Sequence, residues 1–236
     1  MRLITVSGPP SCGKTAVILK TAAELRGRDI EAGVIKFDCL VTDDDERYRA
    51  AGIPVQKGLS GSLCPDHYFV SNIETAFEWG ADEGFDLLFS ESAGLCNRCS
   101  PHIEGVTAVC VIDNLSGLST PRKIGPMLKA ADIVVITKGD VVSQAEREVF
   151  AARVRTANPK AAVLHVNGLS GQGAWELGRL LWEHADELER ISGRKLRFPM
   201  PSALCSYCLG ETRIGSEYQL GNVRTMSIEG GAHAGG

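Results

Sequence analysis

The sequence predicts an α/β fold, a mostly parallel central sheet with helices on both faces. Three observations lead there. Near-continuous apolar strands alternate with helical stretches through most of the 236 residues, the pattern of a sheet covered on both sides. The first strand runs directly into Gly8-Pro-Pro-Ser-Cys-Gly13-Lys14-Thr15, which fits the phosphate-binding pattern G-x-x-x-x-G-K-[ST]. The chain is also long enough for one large domain with a full core, and its 23% charged and 44% hydrophobic residues are ordinary globular values.

Taken in order, Leu3, Ile4 and Val6 form a β-rich run, and AVILKTAAELRG after the loop reads as helix. Glu31–Phe37 is a second strand ending near Asp38, and the acidic patch 42–46 opens a short helix. Ile53-Pro-Val-Gln is a brief extended run, followed by a glycine-rich loop over 58–64. Ser71-x-x-Glu74 has capping-box spacing and predicts a helix start, with Ile73, Ala76, Phe77 and Ala81 on one face. Further strands are Phe85–Phe89 ending at Ser90-Glu91, Val106–Ile112, Ile133–Thr137 and Ala161–Val166, with helices expected between them. One of these helices is capped by Ser143-x-x-Glu146, and another spans roughly 174–188. The expected division is a nucleotide-binding domain over 1–193, a Cys-bearing extension over 194–228 packed on the core, and a disordered tail over 229–236.

The phosphate loop needs its glycines because backbone N–H groups converge on phosphate oxygens only where the chain bends without a Cβ. The helix N-terminus adds positive partial charge at the same place. Gly8, Ser11, Cys12 and Gly13 would line the phosphates, Lys14 would bridge the β- and γ-phosphates, and Thr15 would hold Mg²⁺. This is the expectation for a P-loop nucleoside triphosphatase. Thr137-Lys138-Gly139-Asp140, directly after a strand, matches the [NT]-K-x-D guanine motif. A carboxylate there accepts from guanine N1–H and the N2 amino group, and adenine would leave it unpaired. Lys138 would lie along the base, and Asn167-Gly168-Leu169-Ser-Gly-Gln-Gly173 would supply a second guanine loop. Asp38 and Glu91 stand at strand ends, the ligand edge of a parallel sheet, where either could position Mg²⁺ or the attacking water. Asp86 falls at the opposite edge and is left out of the site.

The net charge of −4 and the absence of a long basic run argue against nucleic acid as the main partner. No apolar run approaches the ~20 residues that span a bilayer. The first residues enter a strand without a signal-peptide pattern, so the expectation is a cytoplasmic protein away from membranes. Eight cysteines in a reducing compartment favour metal sites or reactive thiols over disulfides. Cys96-x-x-Cys99 and Cys205-x-x-Cys208 are two pairs able to make one four-sulfur site, for structural Zn²⁺ or an iron–sulfur cluster. Cys64-Pro-Asp-His67, expected in a loop, offers a thiolate and an imidazole suited to Ni²⁺ or Zn²⁺, two ligands that need others to complete a site.

The sequence resembles the nickel-insertion GTPases of urease and hydrogenase maturation, within the signal-recognition-type P-loop class. The likeness covers about residues 2–185 and rests on GPPSCGKT, Asp38 with TDDDERYRAAGIPV, the Cys64–His67 motif, FDLLFSES, VIDNLSGLSTPRKIGP, TKGD and GLSGQG. It implies GTP-dependent homodimerisation, with metal held between subunits by Cys64 and His67. Metal hand-over to a client metalloenzyme or its maturation factors would be coupled to GTP binding or hydrolysis. The catalytic residues expected are Lys14, Asp38 and Glu91. The rival reading is an iron–sulfur P-loop NTPase that activates a redox enzyme through the paired cysteines.

Overall fold

The computed structural model describes residues 1–95, 99–198, 212–219 and 223–228. Seven parallel strands form one sheet in the order β3-β2-β4-β1-β5-β6-β7. They are β1 (Arg2–Ser7), β2 (Ala32–Asp38), β3 (Val55–Leu59), β4 (Leu87–Glu91), β5 (Thr107–Asp113), β6 (Ile133–Thr137) and β7 (Ala162–His165). The helices are α1 (Lys14–Arg26), α2 (Asp44–Ala50), α3 (Pro65–Asp82), α4 (Thr120–Lys123), α5 (Pro126–Lys129), α6 (Gln144–Ala157) and α7 (Ala174–His184). The buried runs in β1, β4 and β5 explain why these strands read as nearly continuous hydrophobic stretches.

One face of the sheet packs on α1 and α7, through Ile4, Val17, Leu25, Leu177 and Leu181. The other carries α3 through Phe69, Ile73 and Phe77, with Leu196, Ile214 and Met226 from the C-terminal stretch in the same cluster. Lys195 and Arg213 form an antiparallel bridge, and Asn72 Oδ1 accepts from the Met226 amide, so these C-terminal residues lie against the core. Among the described residues no helix is long and apolar enough to cross a membrane.

Two expectations change. Ser71 does not start a helix. It lies inside α3, where its hydroxyl donates to the His67 carbonyl one turn back, so the S-x-x-E spacing is accidental. The helix begins seven positions earlier, with Cys64 as cap and Pro65 at its first turn, where a missing N–H costs nothing. Cys64–His67 is therefore a helix start rather than a loop. The second change concerns β4 and β5, which both run parallel to β1 between them: no helix joins them among the described residues. The Ser143–Glu146 capping box forms as expected.

His102 is wholly buried under the start of the phosphate loop. Its Nε2 lies 3.1 Å from the Met127 carbonyl, which can only accept, so the proton sits on Nε2 and Nδ1 accepts from Thr5 Oγ1 at 2.9 Å. Burial, with the Arg197 guanidinium adding to it, pushes the ring down to about 3. A depressed histidine contributes stability that is complete above the unfolded value near 6.5 and is lost as pH falls from there toward 3. Between those limits the loss should approach about 1.4 kcal/mol per pH unit. Urea unfolding of wild type and His102→Asn at pH 7, 6 and 5 should give a shallower pH slope in the variant. Parallel slopes would contradict this assignment.

Candidate functional site

The C-terminal ends of β1, β2, β4 and β6 converge on one edge, and the predicted nucleotide residues gather there. Gly8 has φ +145°, and a Cβ on it would lie 2.0 Å from the Val111 carbonyl oxygen. Only glycine fits that close approach. Lys14 is buried, and its Nζ donates to the carbonyls of Gly8 and Pro9 at 3.0 and 2.9 Å, folding its ammonium back over the loop. Cys12 is fully buried, and burial pushes its thiol up to about 11, so it stays protonated and only its backbone can face phosphates. Ser11 is exposed at the loop's crest.

The guanine loop is tied to the phosphate loop. Thr137 Oγ1 donates to the Cys12 carbonyl at 2.6 Å and Lys138 Nζ to the Ser11 carbonyl at 2.8 Å. A cavity of about 310 Å³ opens between them, lined by Gly13, Ala16, Lys138, Asp140, Gly168 and Leu169 among others. Asn167 Oδ1 accepts from the Leu169 and Ser170 amides and shapes the far wall. Both predicted base loops thus border one cavity, with Asp140 exposed at its mouth.

A second cavity of about 390 Å³ adjoins it, lined by Lys14, Thr15, Lys36, Asp38, Asp44, Arg47 and Glu91 among others. Glu91 is buried at the end of β4. Its Oε1 accepts from Thr15 Oγ1 at 2.9 Å and Lys36 Nζ at 2.8 Å, and its Oε2 accepts from the Tyr48 hydroxyl at 2.6 Å. Lys36 Nζ also lies 2.8 Å from Asp44 and 3.5 Å from Asp38. Burial pulls the Lys36 ammonium down, but Glu91 and Asp44 outweigh it and hold it above the ordinary lysine range. Burial raises Asp44, and its bond to Lys36 outweighs that, leaving the carboxyl low. Burial, then Glu91, pushes the Tyr48 phenol well above its ordinary value. Thr15, Asp38 and Glu91 fall together as expected, while Lys36, Asp44 and Tyr48 were not anticipated. A lone lysine in the apolar run AGVIKF, two residues before a strand-end aspartate, was the available signal.

The donor set suits Mg²⁺, which takes one or two carboxylates plus phosphates and waters rather than an all-protein cage. A hydroxyl and a carboxylate already share one point at Thr15 and Glu91, and Asp38 borders the same cavity.

Cys64 is partly buried and His67 wholly so, at the start of α3. Asp66 between them accepts from the Cys99 thiol; burial pushes its carboxyl up to about 6, with that bond pulling against it. Cys99, sought as half of the distant four-cysteine site, thus sits beside the Cys64–His67 turn. Its predicted partners Cys96, Cys205 and Cys208 lie outside the described residues. Among the described residues no three His, Cys, Asp or Glu side chains are arranged to hold a metal ion.

Comparison with known proteins agrees with this geometry. The family described as CobW/HypB/UreG, nucleotide-binding domain, matches residues 2–165. An uncharacterized protein of Methanocaldococcus jannaschii is 46% identical over 226 residues, covering 96% of each chain. The hydrogenase maturation factor HypB of Azotobacter chroococcum is 32% identical over 200 residues, 83% of this chain and 62% of that protein. The present chain thus matches less than two thirds of that factor. In fold, the crystal structure of HypB from Helicobacter pylori in complex with nickel superposes with a TM-score of 0.63 at 21% identity, over 78% of this chain and 86% of that one.

Proposed function

Because this chain belongs to the CobW/HypB/UreG nucleotide-binding family, we propose that it is a GTPase metallochaperone that carries a transition metal, nickel foremost, to an enzyme under maturation. Lys14 and the loop amides bind the phosphates, Thr15 and Glu91 with Asp38 hold Mg²⁺, and Asp140 selects guanine. The bound Mg²⁺ would neutralise the β- and γ-phosphate oxygens. Cys64 and His67 carry the cargo, with Cys99 alongside them.

One observation carries the reading: the end of β2 at the proposed Mg²⁺ site is hydrogen-bonded to the loop that leads into the cargo turn. Asp38 and Cys39 carbonyls accept from the Ser60 and Gly61 amides, tying the end of β2 to the loop that leads into Cys64. After β4, Gly94 stands three residues beyond Glu91 and lies against the phosphate loop. A Cβ on Gly94 would lie 1.8 Å from the Gly8 carbonyl oxygen, so the two backbones are in close contact there. Occupancy of the phosphates therefore has a mechanical route to the metal ligands through the end of β2. His67 is buried in this arrangement, so loading requires the first turn of α3 to rearrange.

A homodimer facing the nucleotide edge is supported by exposed apolar side chains on four separate loops there, Leu40, Val41, Leu95, Leu115, Leu118 and Leu169. Two ligands per chain then become four across a two-fold axis. The chain acts in the cytoplasm in this reading.

Nucleotide choice tests the enzyme half of the proposal. GTP should bind in preference to ATP, because adenine would leave the Asp140 carboxylate unpaired. The difference should be on the order of tenfold to a hundredfold. Asp140→Asn should erode that preference in a competition titration. Equal affinity for ATP and GTP in the unmutated protein would remove the guanine assignment.

A further inference from the structure

Lys36 is placed where no metal-assisted phosphate site requires a cation of its own. Its side chain is 4% exposed, within reach of three carboxylates, two at 2.8 Å and one at 3.5 Å. The register of the sheet puts it there, since Lys36 and Glu91 are direct partners in the adjacent parallel strands β2 and β4. The carboxylate oxygen of Glu91 that accepts from Lys36 is the same one that accepts from Thr15. That shared oxygen is where the hydroxyl and carboxylate would meet the divalent ion.

We propose that Lys36 is a resident cation of the Mg²⁺ site, competing with the metal for Glu91 and Asp44 until nucleotide phosphates give its ammonium other acceptors. The proposal rests on the reading of this site as a Mg²⁺–nucleotide site and adds its order of loading. Mg²⁺ needs a near-ideal octahedral shell at about 2.0–2.1 Å and tolerates no ammonium within it. Two cations on one carboxylate oxygen also repel strongly where water is excluded. A free divalent ion must therefore displace Lys36 and break its 2.8 Å ion pairs with Glu91 and Asp44. Lys36 also lines the cavity beside Lys14 and Thr15 where phosphates would lie, so a triphosphate brings new acceptors within reach of a side-chain rotation. Metal and nucleotide then bind together, and neither the ion alone nor the empty site is stable in the loaded arrangement.

Mn²⁺ serves as the probe, followed by electron paramagnetic resonance on the full chain without nucleotide. Wild type should bind Mn²⁺ only weakly at this site. Lys36→Met should bind one ion per chain at least tenfold more tightly, displaceable by Mg²⁺ and lost in Lys36→Met/Glu91→Gln. Lys36→Arg, which keeps the charge, should bind the ion as weakly as wild type does. Should Lys36→Met fail to fold, Lys36→Gln removes the charge while keeping a donor toward Glu91 and Asp44, and carries the same expectation. Wild type binding Mn²⁺ as tightly as the neutral variant would overturn the proposal. A separate arm adds a non-hydrolysable GTP analogue to wild type. Failure to bind Mn²⁺ more tightly there would overturn the nucleotide-site reading itself, a result distinct from failure of the Lys36 proposal.

Discussion

Glu91→Gln should both destabilise the protein and uncouple Mg²⁺ from nucleotide. The carboxylate is buried and accepts three hydrogen bonds, from Thr15, Lys36 and Tyr48. A glutamine offers one acceptor and turns a donor toward groups that are themselves donors. Removing one side of a buried ion pair costs about 3–5 kcal/mol. Asp44 and Asp38 still face the Lys36 ammonium, so the loss should be about 3 kcal/mol, at the lower end of that range. For a domain of this size that is a fall in Tm of roughly 6–12 °C. Calorimetry reads the first effect, and GTP affinity with and without Mg²⁺ reads the second. A variant within 2 °C of wild type, counted as about half a kcal/mol, whose GTP affinity still rises with Mg²⁺ would show that Glu91 neither holds the network nor serves the metal.

Much of this site was legible in the sequence because its parts are local. Gly8 to Thr15 declares a phosphate loop through spacing alone, and Asp140 follows a strand in a four-residue pattern. Asp38 and Glu91 were found because near-continuous apolar strands announce their own ends. What escaped depends on contacts between distant segments. The pairing of Lys36 with Glu91 needs the register of β2 on β4, and Tyr48 reaches the same carboxylate from α2. Ser71 misled because a hydroxyl three residues before a glutamate serves equally well in mid-helix, bonding back to a carbonyl. Pro65 was the better marker of where α3 begins, since proline is at home in a helix's first turn. The contact of Cys99 with Asp66 could not be read from the C-x-x-C spacing, which pointed to a partner pair more than a hundred residues away.

The largest functional effect should fall on the metal. In the proposed site Cys64 and His67 would supply two ligands per chain, and a borderline ion such as Ni²⁺ or Zn²⁺ takes about four. Losing either ligand from each subunit of a two-fold site halves its donors, so Cys64→Ala and His67→Ala should each abolish tight binding. Both ligands bind deprotonated, so affinity should fall as pH drops through the histidine range. If phosphate occupancy reaches the start of α3 through the end of β2, nucleotide and metal must each tighten the other by the same factor. Couplings of this kind are roughly 5–150-fold. The direct measurement is an equilibrium titration of Ni²⁺ and Zn²⁺ with and without a non-hydrolysable GTP analogue, following molecular mass at each step. The account predicts one ion per dimer, bound more tightly with the analogue and lost in Cys64→Ala and His67→Ala. Metal bound to a monomer with the same affinity whether or not the analogue is present would contradict it.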